Sequence, residues 1–148
     1  MRSKIVLYFV GILLVLAIGF GVYYQFVRED VPEGTVDVVV GEAHHFVKYQ
    51  DLTLEHVEGV RVNGKGEEIP VVGNGILLSA LLESLNITDY TQVVVTSADA
   101  YSVTVTLEEI LEEAKVYLLL EEDGLRLVVF GDSNSKRSVT GVAQITVE

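Results

Sequence analysis

The apolar positions of this sequence form one unbroken block and then a series of short alternating runs. From Ile5 to Val27 no residue is charged, and Gln25 is the single polar amide. At about 1.5 Å per residue, a helix of that length covers roughly 34 Å, enough for a bilayer core. Tyr23, Tyr24 and Phe26 cluster at its far end, where an aromatic belt lies. Arg2 and Lys4 precede the block, and Arg28, Glu29 and Asp30 follow it. The positive-inside rule therefore keeps the N-terminus cytoplasmic and exports the remainder. A cleaved signal peptide is the competing reading. The apolar run continues past "AIG" and "GFG" and holds no Ala-x-Ala, which favours an uncleaved anchor. The expected organisation is a cytoplasmic stub over 1–4, a transmembrane anchor over 5–27, a charged linker over 28–34 and an extracytoplasmic domain over 35–148.

Beyond the linker the periodicity shortens. "TVDVVVG" has strand composition, and its run of valines predicts burial on both faces. "HHFVKYQ" alternates, with His45, Val47 and Tyr49 on one face and His44, Phe46 and Lys48 on the other. "DLTLEHVEG" reads as one or two helical turns capped by Asp51 or Thr53. "VRVNGKGEEIPVV" reads as a hairpin whose tight turn takes positive φ angles at Asn63-Gly64. "GILLSALLESLNI" is the clearest helix: Leu77, Leu78, Leu81, Leu82 and Leu85 make one broad stripe, and Asn86 stands at a left-handed cap. "TQVVVTSA" is an interior strand and "YSVTVT" an alternating one. "TLEE" from Thr106 to Glu109 has capping-box spacing. "AKVYLLLEEDGLRLVVFG" is a hairpin turning near Asp123-Gly124, and "SVTGVAQITVE" supplies a last strand or a bent pair. Short helices, more numerous strands and hairpin links predict an α+β domain with a mixed or antiparallel sheet. No glycine-rich turn of the dinucleotide or P-loop type is present, so a doubly wound nucleotide fold is not expected.

Charge narrows the function classes. From Glu29 onward, 22 acidic against 7 basic residues give a net charge of −15. Such a domain repels nucleic acid and anionic lipid headgroups, so no nucleic-acid partner is expected; the membrane enters through the apolar helix. The chain contains no cysteine. That removes a disulfide framework, a thiolate metal site, cysteine nucleophilic chemistry and a lipoprotein anchor together.

The polar residues with a chemical reading are few. Asp99 and Tyr101 share a short turn in "SADAYS" and are able to orient a ligand, although Asp favours such turns for structural reasons alone. Arg126 interrupts the apolar run "LRLVVF", which fits an anion, a buried carboxylate or the solvent face of an edge strand. His44, His45 and His56 invite a metal reading, but adjacent strand histidines point to opposite faces and do not share one ion. The acid pairs Glu67-Glu68, Glu108-Glu109, Glu112-Glu113 and Glu121-Glu122 read as solvated faces and helix ends. Neither Ser79 nor Ser97 stands in a nucleophile elbow. Asn86-Ile87-Thr88 is a glycosylation sequon.

Several of these segments occur in an order that resembles the sulfite oxidase-type oxidoreductase molybdopterin-binding domain. "YQDLTLEHVEGVRV" is similar to its first helix and strand, and "GNGILLSALLESLNI" to its glycine, apolar link and leucine helix. "VVVTSADAYSVTVTLEEI" is similar to its strand, polar turn, strand and helix, "KVYLLLEEDGLRLVVFGD" to a later hairpin, and "RSVTGVAQITV" to its closing strand. The resemblance runs from about His45 to the C-terminus. It implies an α+β, sheet-rich fold and, in full enzymes, a pterin-bound molybdenum that transfers oxygen to or from sulfite, nitrate or sulfoxides. Asp99, Tyr101 and Arg126 stand at matching positions, and Arg137 opens the closing motif; these four are the ligand-binding candidates. The family's cysteine ligand has no counterpart here, its turn glycine is Ala100, its closing lysine is Thr140 and a proline is Phe130. Without a thiolate the metal loses its only protein bond, so no catalytic residue and no cofactor are expected. The expectation is a membrane-anchored extracytoplasmic binding or accessory domain for an unknown small ligand or partner protein. The rival readings are an oxidoreductase that still binds molybdopterin, and a metal-binding protein that uses the histidines.

Overall fold

A computed structural model describes the backbone at residues 2–27 and 32–148, and the side chains at 3–22 and 32–148. The expected flanking charges at Arg2, Arg28, Glu29 and Asp30, and the aromatic side chains of Tyr23, Tyr24 and Phe26, lie outside what it describes. The chain divides into two compact units, 1–30 and 31–148. In the first, α1 (Arg2–Val27) is apolar on every side, and all of its described side chains are exposed. Its stretch Ser3–Val22 has a mean hydropathy of 2.8, long and apolar enough by length and composition to cross a membrane.

The second unit is mixed α/β and rich in sheet. A five-stranded sheet has the order β2-β1-β9-β5-β6, built from β1 (Thr35–Val40), β2 (Ala43–Lys48), β5 (Gln92–Ser97), β6 (Ser102–Thr106) and β9 (Val142–Val147). It is mixed, because β1 and β9 run parallel while its other pairs are antiparallel. A four-stranded antiparallel sheet has the order β3-β4-β7-β8, from β3 (Glu55–Val62), β4 (Glu68–Leu77), β7 (Val116–Glu121) and β8 (Gly124–Val129). The main core draws Val36, Val38, Val93, Val95 and Ile145 from the first sheet and Ile76, Leu118, Leu125 and Leu127 from the second. Two short helices, α2 (Leu78–Ser84) and α3 (Leu107–Leu111), add Leu78, Leu81, Leu82 and Ile110. Each such side chain removed from water contributes about 1.5–3 kcal/mol before the entropy of ordering is counted. Alternation sends the odd residues of β7 the other way, so Tyr117 and Leu119 join Val57, Val71 and Val128 in a second, smaller core. There the Phe130 ring lies where a Cβ on Gly59 would sit, 2.5 Å from that position, so only glycine leaves room for it.

Several sequence expectations change at this level. "DLTLEHVEG" is not helical: a single 3-10 turn covers Tyr49–Asp51, and β3 begins at Glu55. The strand buries Val57 and takes eight partners from β4, and that pairing overrides a weak cap signal. The β3–β4 hairpin is present, but its turn spans Asn63 to Glu67. Asn63 Oδ1 accepts the N–H groups of Lys65 and Glu67 at 2.9 and 3.0 Å, and positive φ falls at Gly66 rather than at Asn63-Gly64. The leucine stripe is divided. Leu77 ends β4 and packs toward the smaller core, while Leu78, Leu81 and Leu82 enter the main one. Asn86 takes φ +59 as expected. Its N–H bonds Glu83 O at 2.9 Å and the Ile87 N–H bonds Leu82 O at 2.9 Å, the paired closure of a Schellman motif.

Candidate functional site

The turn singled out in the sequence follows β5 where its register against β9 shifts between Thr96 and Ser97. That irregularity frees Ala98 to donate to Gly141 O (3.0 Å), while Ser97 N–H and Tyr101 O close the turn at 2.8 Å. Ala100 sits at φ +71, the left-handed region that a glycine would enter at no steric cost. Asp99 Oδ1 accepts the Ser97 hydroxyl and, at 3.4 Å, the Tyr101 N–H. The Ser97 hydroxyl first, and then the Tyr101 N–H, hold its carboxyl below the usual carboxylate range. Tyr101 is half exposed, and its hydroxyl donates to Lys136 O at 2.5 Å. This bond joins the turn to the segment Gly131 to Gly141, which carries Arg137.

Arg137 is the most heavily engaged side chain in the region. Its Nε and Nη2 donate to Asp132 at 2.8 and 2.6 Å, and its Nη1 and Nη2 donate to Glu109 at 2.8 and 2.7 Å. The remaining Nη1 proton faces Thr104 O at 3.4 Å. All five guanidinium N–H groups therefore have acceptors inside the protein. Glu109 is also the reciprocal partner of Thr106 in the expected capping box, so one carboxylate starts α3 and fastens Arg137. The Arg137 hydrogen bonds dominate in lowering the Glu109 pKa to about 2, and the two carboxylates raise that of Arg137. The arrangement is a clamp between α3 and the segment that holds Tyr101, and it leaves no N–H for an incoming anion.

The four candidates thus divide. Asp99, Tyr101 and Arg137 border one turn and one loop. Arg126 lies on the other sheet, on edge strand β8, with its Nε 2.7 Å from Glu121 Oε1. The Nε–H direction misses that oxygen, so the contact is an ion pair rather than a hydrogen bond.

The histidines stand apart from one another. His44 Nδ1 lies 2.8 Å from Asp37 Oδ2, and His56, on β3, has its Nε2 3.0 Å from Glu58 Oε1. His45 is on the opposite face of β2 from His44. Among the described residues no group of three His, Asp or Glu side chains is placed to hold a metal ion.

Two participants escaped the sequence reading. Asp132 carried no local signal. Asp37 did: a lone acid in a valine run buried on both faces needs a partner. It is 3% exposed, takes His44 and the Gln144 amide (3.3 Å) on Oδ2, and keeps Oδ1 without a hydrogen bond. No protein-family model matches the chain, and no curated protein matches it.

Proposed function

We propose that this chain is a membrane-anchored, extracytoplasmic binding or accessory domain with a fold of the sulfite oxidase type, working without molybdenum catalysis. The observation that carries the reading is the filled fork of Arg137. An anionic pterin needs unspent cations, and here the arginine of the closing motif is neutralised by Glu109 and Asp132 while Asp99 adds a further carboxylate on the turn. The residues present do not fit that cofactor, and the sequence has no thiolate for its metal. What the region offers is an exposed tyrosine ring on a turn pinned by backbone bonds, which suits a partner surface or a neutral ligand. The apolar α1 and the basic residues at its start, Arg2 and Lys4, support the anchor and its orientation.

The test uses the full chain, purified in a non-ionic detergent from a host that makes molybdopterin, with its fold checked by circular dichroism. Molybdenum by elemental analysis and pterin by fluorescence are expected at background. Stoichiometric pterin or metal would overturn the proposal in favour of the oxidoreductase reading. Carbonate-washed membranes are expected to retain the chain, and release into the soluble fraction would overturn the anchor.

A further inference from the structure

A cavity of 580 Å³ lies beside the ends of β1 and β2, away from the turn that carries Asp99 and Tyr101. Its size falls within the roughly 300–1,000 Å³ of small-ligand sites. One wall is the turn ahead of β1. Pro32 O accepts the Thr35 N–H at 3.2 Å, and Gly34 takes φ +73, the third position of a type II turn, which places Glu33 at the corner. The Tyr49 N–H donates to Gly34 O at 2.8 Å and fastens this turn beside the end of β2. The other wall is the face of β2 that projects Phe46 and Lys48 two residues apart. The Phe46 ring is stacked on His44, with centroids 6.1 Å apart and planes at 16°. Tyr49 and Gln50 also line the cavity.

Glu33 and Lys48 are both exposed, yet neither forms an ion pair with the other or with any other described residue. Two opposite charges thus line one concavity without meeting. A purely anionic ligand would meet Lys48 but be repelled by Glu33 and by a domain of net charge −15, and a purely cationic one would be repelled by Lys48. Only a ligand carrying both signs satisfies both walls. An ammonium is further favoured by an aromatic face, and Phe46 supplies one.

We propose that this cavity binds a small zwitterion, with its phosphate or carboxylate against Lys48 and its ammonium against Glu33 and the face of Phe46. The site is independent of the resemblance and of the Arg137 clamp, so pterin content does not bear on it. Phosphoethanolamine is the probe, titrated into the full chain in a maltoside detergent and followed by calorimetry. Saturable binding is expected, about tenfold tighter than that of inorganic phosphate or of ethanolamine alone, since a charge-assisted contact at each end is worth about that factor. Lys48→Met and Glu33→Gln are each expected to weaken it about tenfold, whereas Lys65→Met, in the β3–β4 turn, leaves it unchanged. Both variants alter exposed side chains, and circular dichroism verifies their folding. Equal affinity for the half-ligands, no saturable binding, or indifference to both variants would overturn the proposal. Repeating the titration in nanodiscs distinguishes the source. Loss of phosphoethanolamine binding in phosphatidylethanolamine discs but not in phosphatidylglycerol discs assigns a lipid headgroup, and retention in both assigns a free solute.

Discussion

Ala100 holds a backbone conformation that costs an L-residue about 1–2 kcal/mol, offset only by the bonds that close its turn. Ala100→Gly relieves that cost and gives back part of it through the freer unfolded chain. The expected net gain is about 0.5–1 kcal/mol, read as a higher thermal midpoint; an unchanged or lower midpoint would show that the turn does not strain this residue. Arg137 behaves in the opposite sense. Arg137→Met leaves Glu109 and Asp132 facing each other on partly buried carbons, with an expected loss of about 2 kcal/mol by denaturant titration. Adding Glu109→Gln and Asp132→Asn is expected to recover part of the loss, because the repulsion then disappears. The pH dependence follows from Glu109. Its folded pKa, about 2, lies below the ordinary value of 4.5, so its stabilisation is complete above that ordinary value and drains away as pH falls from about 5 toward 2. In Arg137→Met that acid-side slope is expected to flatten, and an unaltered slope would mean that another carboxylate carries it. Among these side chains the capping-box role of Glu109 was readable from "TLEE". Its second role was not, because Arg137 lies 28 positions away and only the tertiary fold brings them together.

The elements were readable in proportion to how local their causes are. The hairpin across Glu122-Asp123, the capped α3 and the left-handed end of α2 rest on contacts within a few residues, and their signals stand in the sequence. The stretch after Asp51 becomes a strand because β4 is available to pair with it, a fact that no window around Asp51 contains. The same holds for Leu77, which local periodicity groups with α2 and sheet pairing with Tyr117 claims for β4. In β4, which pairs with β3 along most of its length and with β7 at its end, a Cβ on Gly75 would stand 2.6 Å from the Leu118 carbonyl oxygen. That oxygen is backbone and has no room to yield. Gly75→Ala is therefore expected to cost about 2–3 kcal/mol, with amide exchange accelerating first along the β4–β7 ladder. Wild-type stability in this variant would mean that the two strands slide freely.

Composition predicted a sheet-rich domain behind an apolar helix, and the structure has both, while the division into two sheets around two cores was beyond the sequence. Strand order is set by which valine faces find each other, and the valine runs of β1, β5 and β9 are nearly interchangeable as local patterns. One pairing among them governs more than architecture. β9 lies between β1 and β5, and Asp37 and Gln144, which face each other across β1 and β9, are 107 positions apart. A chain synthesised only as far as Thr140 lacks the strand that joins β2-β1 to β5-β6, and holds two hairpins with no common sheet. The nascent chain is therefore expected to stay protease-sensitive until Val147 has been made, and a version ended after Thr140 to remain so; early protection of either would contradict this. Until β9 is made, the facing edges of β1 and β5 stand unpaired, two adhesive borders that a second copy of the chain is able to claim first.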